Sequence, residues 1–156
     1  MCNKVIQVDV IIPTQTKYLD FIGSIGEHLA KDLDDFSGDR EALAYHLNLV
    51  LTEATTNAIK HATQMTPKDT VRITIHIQNA ELNIKVYDHG QGFDLETVPT
   101  PDFEHPKEGG MGLFFIRSIM DSVTYTQGDG CNVLELKKDL RPLSNTNNNG
   151  PRIHHA

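Results

Sequence analysis

The sequence predicts an α+β two-layer sandwich, a sheet covered on one face by helices, and not a doubly wound parallel sheet. Three observations lead there. The strand-like segments after the first come in adjacent pairs joined by short turns. The helical segments are few and amphipathic, so they can cover only one face of a short sheet. The order is strand, two helices, two strands, a long loop, a helix and two strands, which lacks the strand–helix alternation of a parallel sheet.

Each element has a local reason. Val5 to Ile12 alternates and is β-branched, so it reads as a strand that stops at Pro13. From Lys17 to Phe36, apolar residues recur at Tyr18, Ile22, Ile25, Leu29, Leu33 and Phe36, the three-and-four spacing of a helix. Its other face carries Asp20, Glu27, Lys31, Asp34 and Asp35. Ser37-Gly38-Asp39 reads as a turn. A second helix runs from about Arg40 to Ala62, with Leu43, Leu47, Val50, Leu51, Ala54 and Ala58 on one side. Val71, Ile73, Ile75 and Ile77 alternate with polar residues, as do Leu82, Ile84 and Val86, and Asn79-Ala80 joins them as a hairpin. Periodicity vanishes between Phe93 and Gly109, where Pro99, Pro101 and Pro106 mark a long loop of the functional or disordered kind. A helix follows from Gly112 to about Asp121. A last hairpin pairs Val123 and Tyr125 with Val133 and Leu136 across Gly128-Asp129-Gly130. Residues 1–140 read as one domain and 141–156 as a disordered tail.

Composition excludes several classes. With 156 residues, 38% hydrophobic and 22% charged, the chain reads as one soluble globular domain. A net charge of −7 and the lack of any basic run argue against direct nucleic-acid binding. Two cysteines, Cys2 and Cys131, make no disulfide framework. No apolar run reaches the roughly 18 residues of a membrane span, and Met1-Cys2-Asn3-Lys4 lacks the plan of a signal peptide. The expectation is a cytoplasmic protein with no membrane contact of its own.

The chemistry lies in three segments. Glu53 and Asn57 are four apart, so they share one helix face beside the apolar stripe, half-buried at the rim of the core. A rigid amide oxygen suits Mg2+, and a carboxylate one turn away can accept a proton. Alone, the pair also reads as solvated surface. Asp88 ends a strand, where its carboxylate can accept a hydrogen bond from an exocyclic amine, and Gly90 and Gly92 leave room for a ring. Alone, Asp-x-Gly-x-Gly is also plain turn chemistry. Gly109, Gly110 and Gly112 precede the apolar helix Leu113-Phe-Phe-Ile-Arg, and free N–H groups at a helix start attract anions. Alone, this is also a hinge. The Lys-Ser/Thr ending of a Walker loop is missing, so a P-loop is excluded. Lys60, His61 and His89 lie close by, but the eight histidines show no paired metal spacing. No Ser-His-Asp or Cys-His set stands out. In this order, the three segments read as one ATP site.

Those segments resemble the ATP-binding domain shared by gyrase B, histidine kinases and MutL. They are most similar to the stand-alone anti-sigma factors that are serine-protein kinases of the RsbW and SpoIIAB type. Glu53-Ala-Thr-Thr-Asn57-Ala-Ile-Lys-His61-Ala resembles the N box, Asp88-His-Gly90-Gln-Gly92-Phe the G1 box, and Gly109-Gly-Met-Gly112-Leu through Asp121 the G2 box with its helix. The likeness runs from about Val5 to Lys138. It implies a Bergerat fold, with a mixed, mostly antiparallel sheet under three helices. It implies Glu53 as catalytic base and Asn57 as the Mg2+ ligand. Asp88 would hold the adenine amine, with Gly90 and Gly92 along the ring. Gly109, Gly110, Met111, Gly112 and Leu113 would hold the phosphates, and the Phe93–Glu108 loop would be the ATP lid. The family usually has a Thr beside the adenine pocket, and here that place looks like Cys131, a weaker hydrogen-bonding group. The implied partners are a STAS-domain anti-anti-sigma protein, a sigma factor and a second copy of the chain, paired through the strand Val5–Ile12.

Three functions compete. The first is an ATP-dependent kinase acting on a serine of a STAS-domain partner. The second is an ATP-regulated sequestering module with little or no catalysis, which could dispense with Glu53. The third is the catalytic part of a histidine kinase, which would need a helical hairpin bearing an acceptor histidine.

Overall fold

The computed structural model describes residues 4–62, 69–90, 92, 95, 104, 111–128 and 130–142. The elements run β1 (Val5–Pro13), a 3-10 turn (Thr16–Tyr18), α1 (Leu19–Asp32), α2 (Arg40–Lys60), β2 (Thr70–Gln78), β3 (Glu81–Asp88), α3 (Gly112–Ile119), β4 (Ser122–Gly128) and β5 (Cys131–Asp139). The strands form a five-stranded sheet in the order β1-β2-β3-β5-β4. Its four pairings are antiparallel.

Strand alternation decides what the helices meet. Val71, Ile73, Ile75 and Ile77 of β2 are buried, as are Leu82, Ile84 and Val86 of β3 and Leu134 and Leu136 of β5. Against them pack Leu43, Leu47, Val50, Leu51, Ala54 and Ala58 of α2 and Ile116 of α3. This is the two-layer arrangement that the element order predicts, in which one apolar sheet face is covered by helices.

The first helix is shorter than its apolar spacing suggests. Its α-helical part stops at Asp32, and Leu33 is extended with φ −63° and ψ 126°. Arg40 explains the stop. Its Nη1 donates to the carbonyls of Ala30, Lys31 and Leu33 at 3.1, 3.1 and 2.6 Å. Carbonyls at a helix end have no partner within the helix, and the guanidinium supplies one. Asp39 then caps α2, accepting from the Ala42 N–H at 3.0 Å. Leu33 and Phe36 still pack on the core, outside the helix.

The period of two also places the functional strand ends. Asp88 continues the inward series Leu82, Ile84, Val86 and is only 4% exposed. Asn132 begins the inward series of β5 and is 3% exposed. The register sets Asp88 directly opposite Asn132. Two polar residues are thus buried side by side at one end of the apolar layer, facing the helices.

Candidate functional site

The C-terminal half of α2 is the base of the site. Glu53, Asn57 and His61 succeed one another at intervals of four, so they line one helix face over about 12 Å. Glu53 and Asn57 are half-buried, as their position beside the apolar stripe predicts. Among the described residues, neither side chain has a hydrogen-bond or ion-pair partner within the protein. A carboxylate and an amide held on a rigid helix, partly out of water, are therefore open to a ligand.

One glycine segment closes onto this face and the other onto the end of the helix. A Cβ on Gly112 would collide with Oε2 of Glu53. That glycine opens α3, and the residue before it, Met111, supplies no side-chain cap. Gly112 thus packs on the Glu53 side chain, and no N-cap side chain satisfies the first N–H groups of α3. Leu113 is buried and anchors the helix, and Met111 is half-buried. At the other end of the face, a Cβ on Gly90 would overlap the His61 carbonyl oxygen and crowd Cα of Ala62. The His61 N–H in turn donates to the Asn57 carbonyl at 3.0 Å. Only a residue without a side chain lets β3's exit press so closely on the end of α2. Glu53 meets the third segment, His61 meets the second, and Asn57 lies between them.

At the strand end, Asp88 is held by a small network. Its Oδ1 accepts from the Gly90 N–H at 2.9 Å and from Nδ2 of Asn132 at 2.9 Å. The same Nδ2 donates to the Gly90 carbonyl at 2.8 Å. Nδ1 of His89 lies 2.7 Å from the Gly130 carbonyl, a second tie between this segment and the β4–β5 hairpin. Gly92 has φ +77°, and a Cβ there would crowd the Gln127 amide and the Tyr125 hydroxyl. Gly109 and Gly110 lie outside the described residues, as does most of the Phe93–Glu108 segment. Within that segment, the Leu95 carbonyl accepts from Nη2 of Arg117 on α3 at 2.9 Å.

One expectation needs correcting. The hairpin residue beside Asp88 is Asn132 and not Cys131. Cys131 is half-buried and pairs with Gly128, and its Sγ lies 3.8 Å from its neighbour's carbonyl. Alternation carries the signal. Asn132 shares the inward period of Leu134 and Leu136, whereas Cys131 falls one residue out of phase. The backbone contribution of His61 had no sequence signal beyond its place four residues after Asn57.

The donor set can be tested against a metal. Among the described residues, no three His, Cys, Asp or Glu cluster into a metal site. Mg2+ keeps several waters and commonly takes one or two protein oxygens plus substrate phosphates. The unpartnered Asn57 amide beside Glu53 fits that role.

Residues 28–138 match the family model described as histidine kinase-like ATPase domain. The chain belongs to this family. The likeness to the RsbW branch, read from the motifs, is borne out by its relatives. The chain is 27% identical over 139 residues to the serine-protein kinase RsbW of Listeria innocua serovar 6a, covering 84% of this chain and 86% of that protein. It is 26% identical over 159 residues to the serine-protein kinase RsbW of Staphylococcus epidermidis, covering 94% of each. The histidine kinase domain of the Erythrobacter litoralis EL346 blue-light activated histidine kinase matches with a TM-score of 0.50 at 19% identity. That match covers 83% of this chain and 62% of the other, so this chain spans less than two thirds of that histidine kinase chain. At that identity the likeness shows a shared histidine kinase-like ATPase fold and no more. Among the described residues, no helix is long and apolar enough to cross a membrane.

Proposed function

We propose that this histidine kinase-like ATPase domain is an ATP-dependent serine-protein kinase of the anti-sigma type. Its substrate is a serine on a STAS-domain anti-anti-sigma partner, and phosphorylation switches partner binding. The reading rests on one observation above all. Glu53 touches the glycine that opens α3, and the backbone of His61, at the end of the same helix, meets Gly90. On this reading a base, a phosphate seat and an amine acceptor share one nucleotide site around the C-terminal half of α2.

The chemistry follows from those groups. The adenine amine donates to Asp88. The triphosphate lies toward the N–H groups at the start of α3, where the helix dipole favours negative charge. Asn57 would hold a Mg2+ ion, which would supply charge neutralisation on the transferring group. The partner's serine oxygen attacks the γ-phosphorus, ADP leaves, and the serine proton passes to Glu53. Proton acceptance of this kind contributes about 10²–10⁴-fold, and phosphoryl transfer otherwise needs positioning and charge neutralisation. Retention of Glu53, set against the phosphate seat, favours a kinase over a passive binder. A sigma factor as second partner, a homodimer paired through β1 and a cytoplasmic location complete the proposal. β1 suits pairing because it is an edge of the sheet and exposes Val5 and Ile11.

The test is a pull-down from native cytosol with ATP and with ADP, followed by transfer of labelled phosphate onto the retained proteins. The expected result is label on a serine of a small STAS-domain protein, captured in a nucleotide-dependent way. Capture without any label transfer would leave only the sequestering function.

A further inference from the structure

The geometry points to Asn132 as a positioning residue that fixes one oxygen of Asp88 and leaves the other for the base, so that it sets adenine selectivity. The inference rests on the ATP-binding reading above. Asn132 is 3% exposed and Asp88 4% exposed, so water does little to orient either group. The Asn132 amide nitrogen meets two groups that can only accept, Oδ1 of Asp88 and the Gly90 carbonyl. That fixes which way the amide points, because its oxygen would face acceptors in the flipped state. Oδ1 of Asp88 already takes two donors, from Asn132 and from the Gly90 N–H. Oδ2 is the oxygen left for a ligand.

Two consequences follow. The pocket presents an acceptor held at a fixed angle, which suits an exocyclic amine. A base with a carbonyl at the same place would set acceptor against acceptor, and a buried mismatch of that kind is strongly rejected. The same amide also ties the Gly90 backbone to β5, so it holds the turn against the His61 carbonyl. Cys131 falls one residue out of phase, and its Sγ donates to the Asn132 carbonyl and not to Asp88.

The test compares ATP with inosine triphosphate, which carries a carbonyl in place of the adenine amine. Affinities are measured by calorimetry for the wild-type chain and for Asn132→Ala, Asn132→Asp and Asn132→Thr. The wild type should prefer ATP. In Asn132→Ala the ATP affinity should fall roughly tenfold to a hundredfold, the cost of losing hydrogen bonds to a charged acceptor. Inosine triphosphate affinity should change far less, so the preference shrinks. Asn132→Asp keeps the shape but loses the N–H groups, and it should lose at least as much. Asn132→Thr keeps one donor and should fall between. A preference retained in Asn132→Ala and Asn132→Asp would overturn the inference, whether the two affinities fall together or stay unchanged. Should the wild type bind neither nucleotide, the ATP-site reading itself fails, which is a separate outcome.

Discussion

The two ends of β3 solve opposite problems. At its start the chain turns through Asn79 and Ala80, with φ of 54° and 60°, and passes from one apolar strand to the next. Polar groups there face outward: Glu81 is exposed and stands opposite Asp139, which is itself bound by Arg141. At its end, Asp88 and Asn132 are buried together, and the glycine after them is pressed against the end of α2. The first end keeps its charges in water and its apolar residues in the core, as stability asks. The second sinks a carboxylate among apolar neighbours, which is costly unless the group is hydrogen-bonded. Such a cost persists where a function uses it. The middle of β3, with Leu82, Ile84 and Val86 almost fully buried, anchors both ends.

The comparison can be broken at each place. The largest effect is expected at the site. Glu53→Gln should keep ATP affinity, measured by calorimetry, and lower phosphate transfer to the partner about 10²–10⁴-fold. Transfer at the normal rate would remove Glu53 as the base. Next comes Asp88→Ala, which should abolish ATP binding; unchanged affinity would refute the amine contact. In the shared middle, Ile84→Ala should cost about 2–5 kcal/mol in denaturant unfolding, without altering the preference for ATP in the folded fraction. Thr55 offers a smaller effect of opposite sign. It is fully buried in α2, and among the described residues its hydroxyl has no hydrogen-bond partner. Thr55→Val should stabilise the fold by about 1 kcal/mol, a rise of about 2–4 °C in Tm; a lower Tm would mean that the hydroxyl has a partner after all. The smallest effect belongs to the far end. The Arg141 guanidinium, hydrogen-bonded to Asp139, holds that carboxyl down from 3.8 to about 2. A depressed carboxyl stabilises the fold above its unfolded pKa and loses that contribution as pH falls through the folded value. Asp139→Asn should therefore slightly flatten the acid limb of the stability curve between about pH 4 and 2, and an unchanged limb would show that the pair contributes nothing.

Most of this molecule could be read along the chain, because most of its rules are local. Periods of two and of three-to-four gave the strands and helices, and Glu53 with Asn57 followed from helical spacing. The glycines of the second and third segments were visible as departures from those periods. Less was legible where a long side chain acts at a distance. Arg40 ends α1 by reaching carbonyls 7 to 10 residues back, which no helical pattern announces. The β5 residue beside Asp88 is Asn132, one position on from Cys131, and the inward phase of Leu134 and Leu136 carries that signal.

The sequence by itself determined the two-layer class, the three candidate segments and the family, since period, spacing and glycine placement are properties of neighbours along the chain. Only the tertiary structure decided that Asp88 is held by Asn132, 44 residues away, and that one glycine presses on Glu53 of α2 and another on the backbone at the end of that helix. The physical reason is register. A sheet pairs residues by their offset across strands, and a shift of one position turns every side chain to the other face.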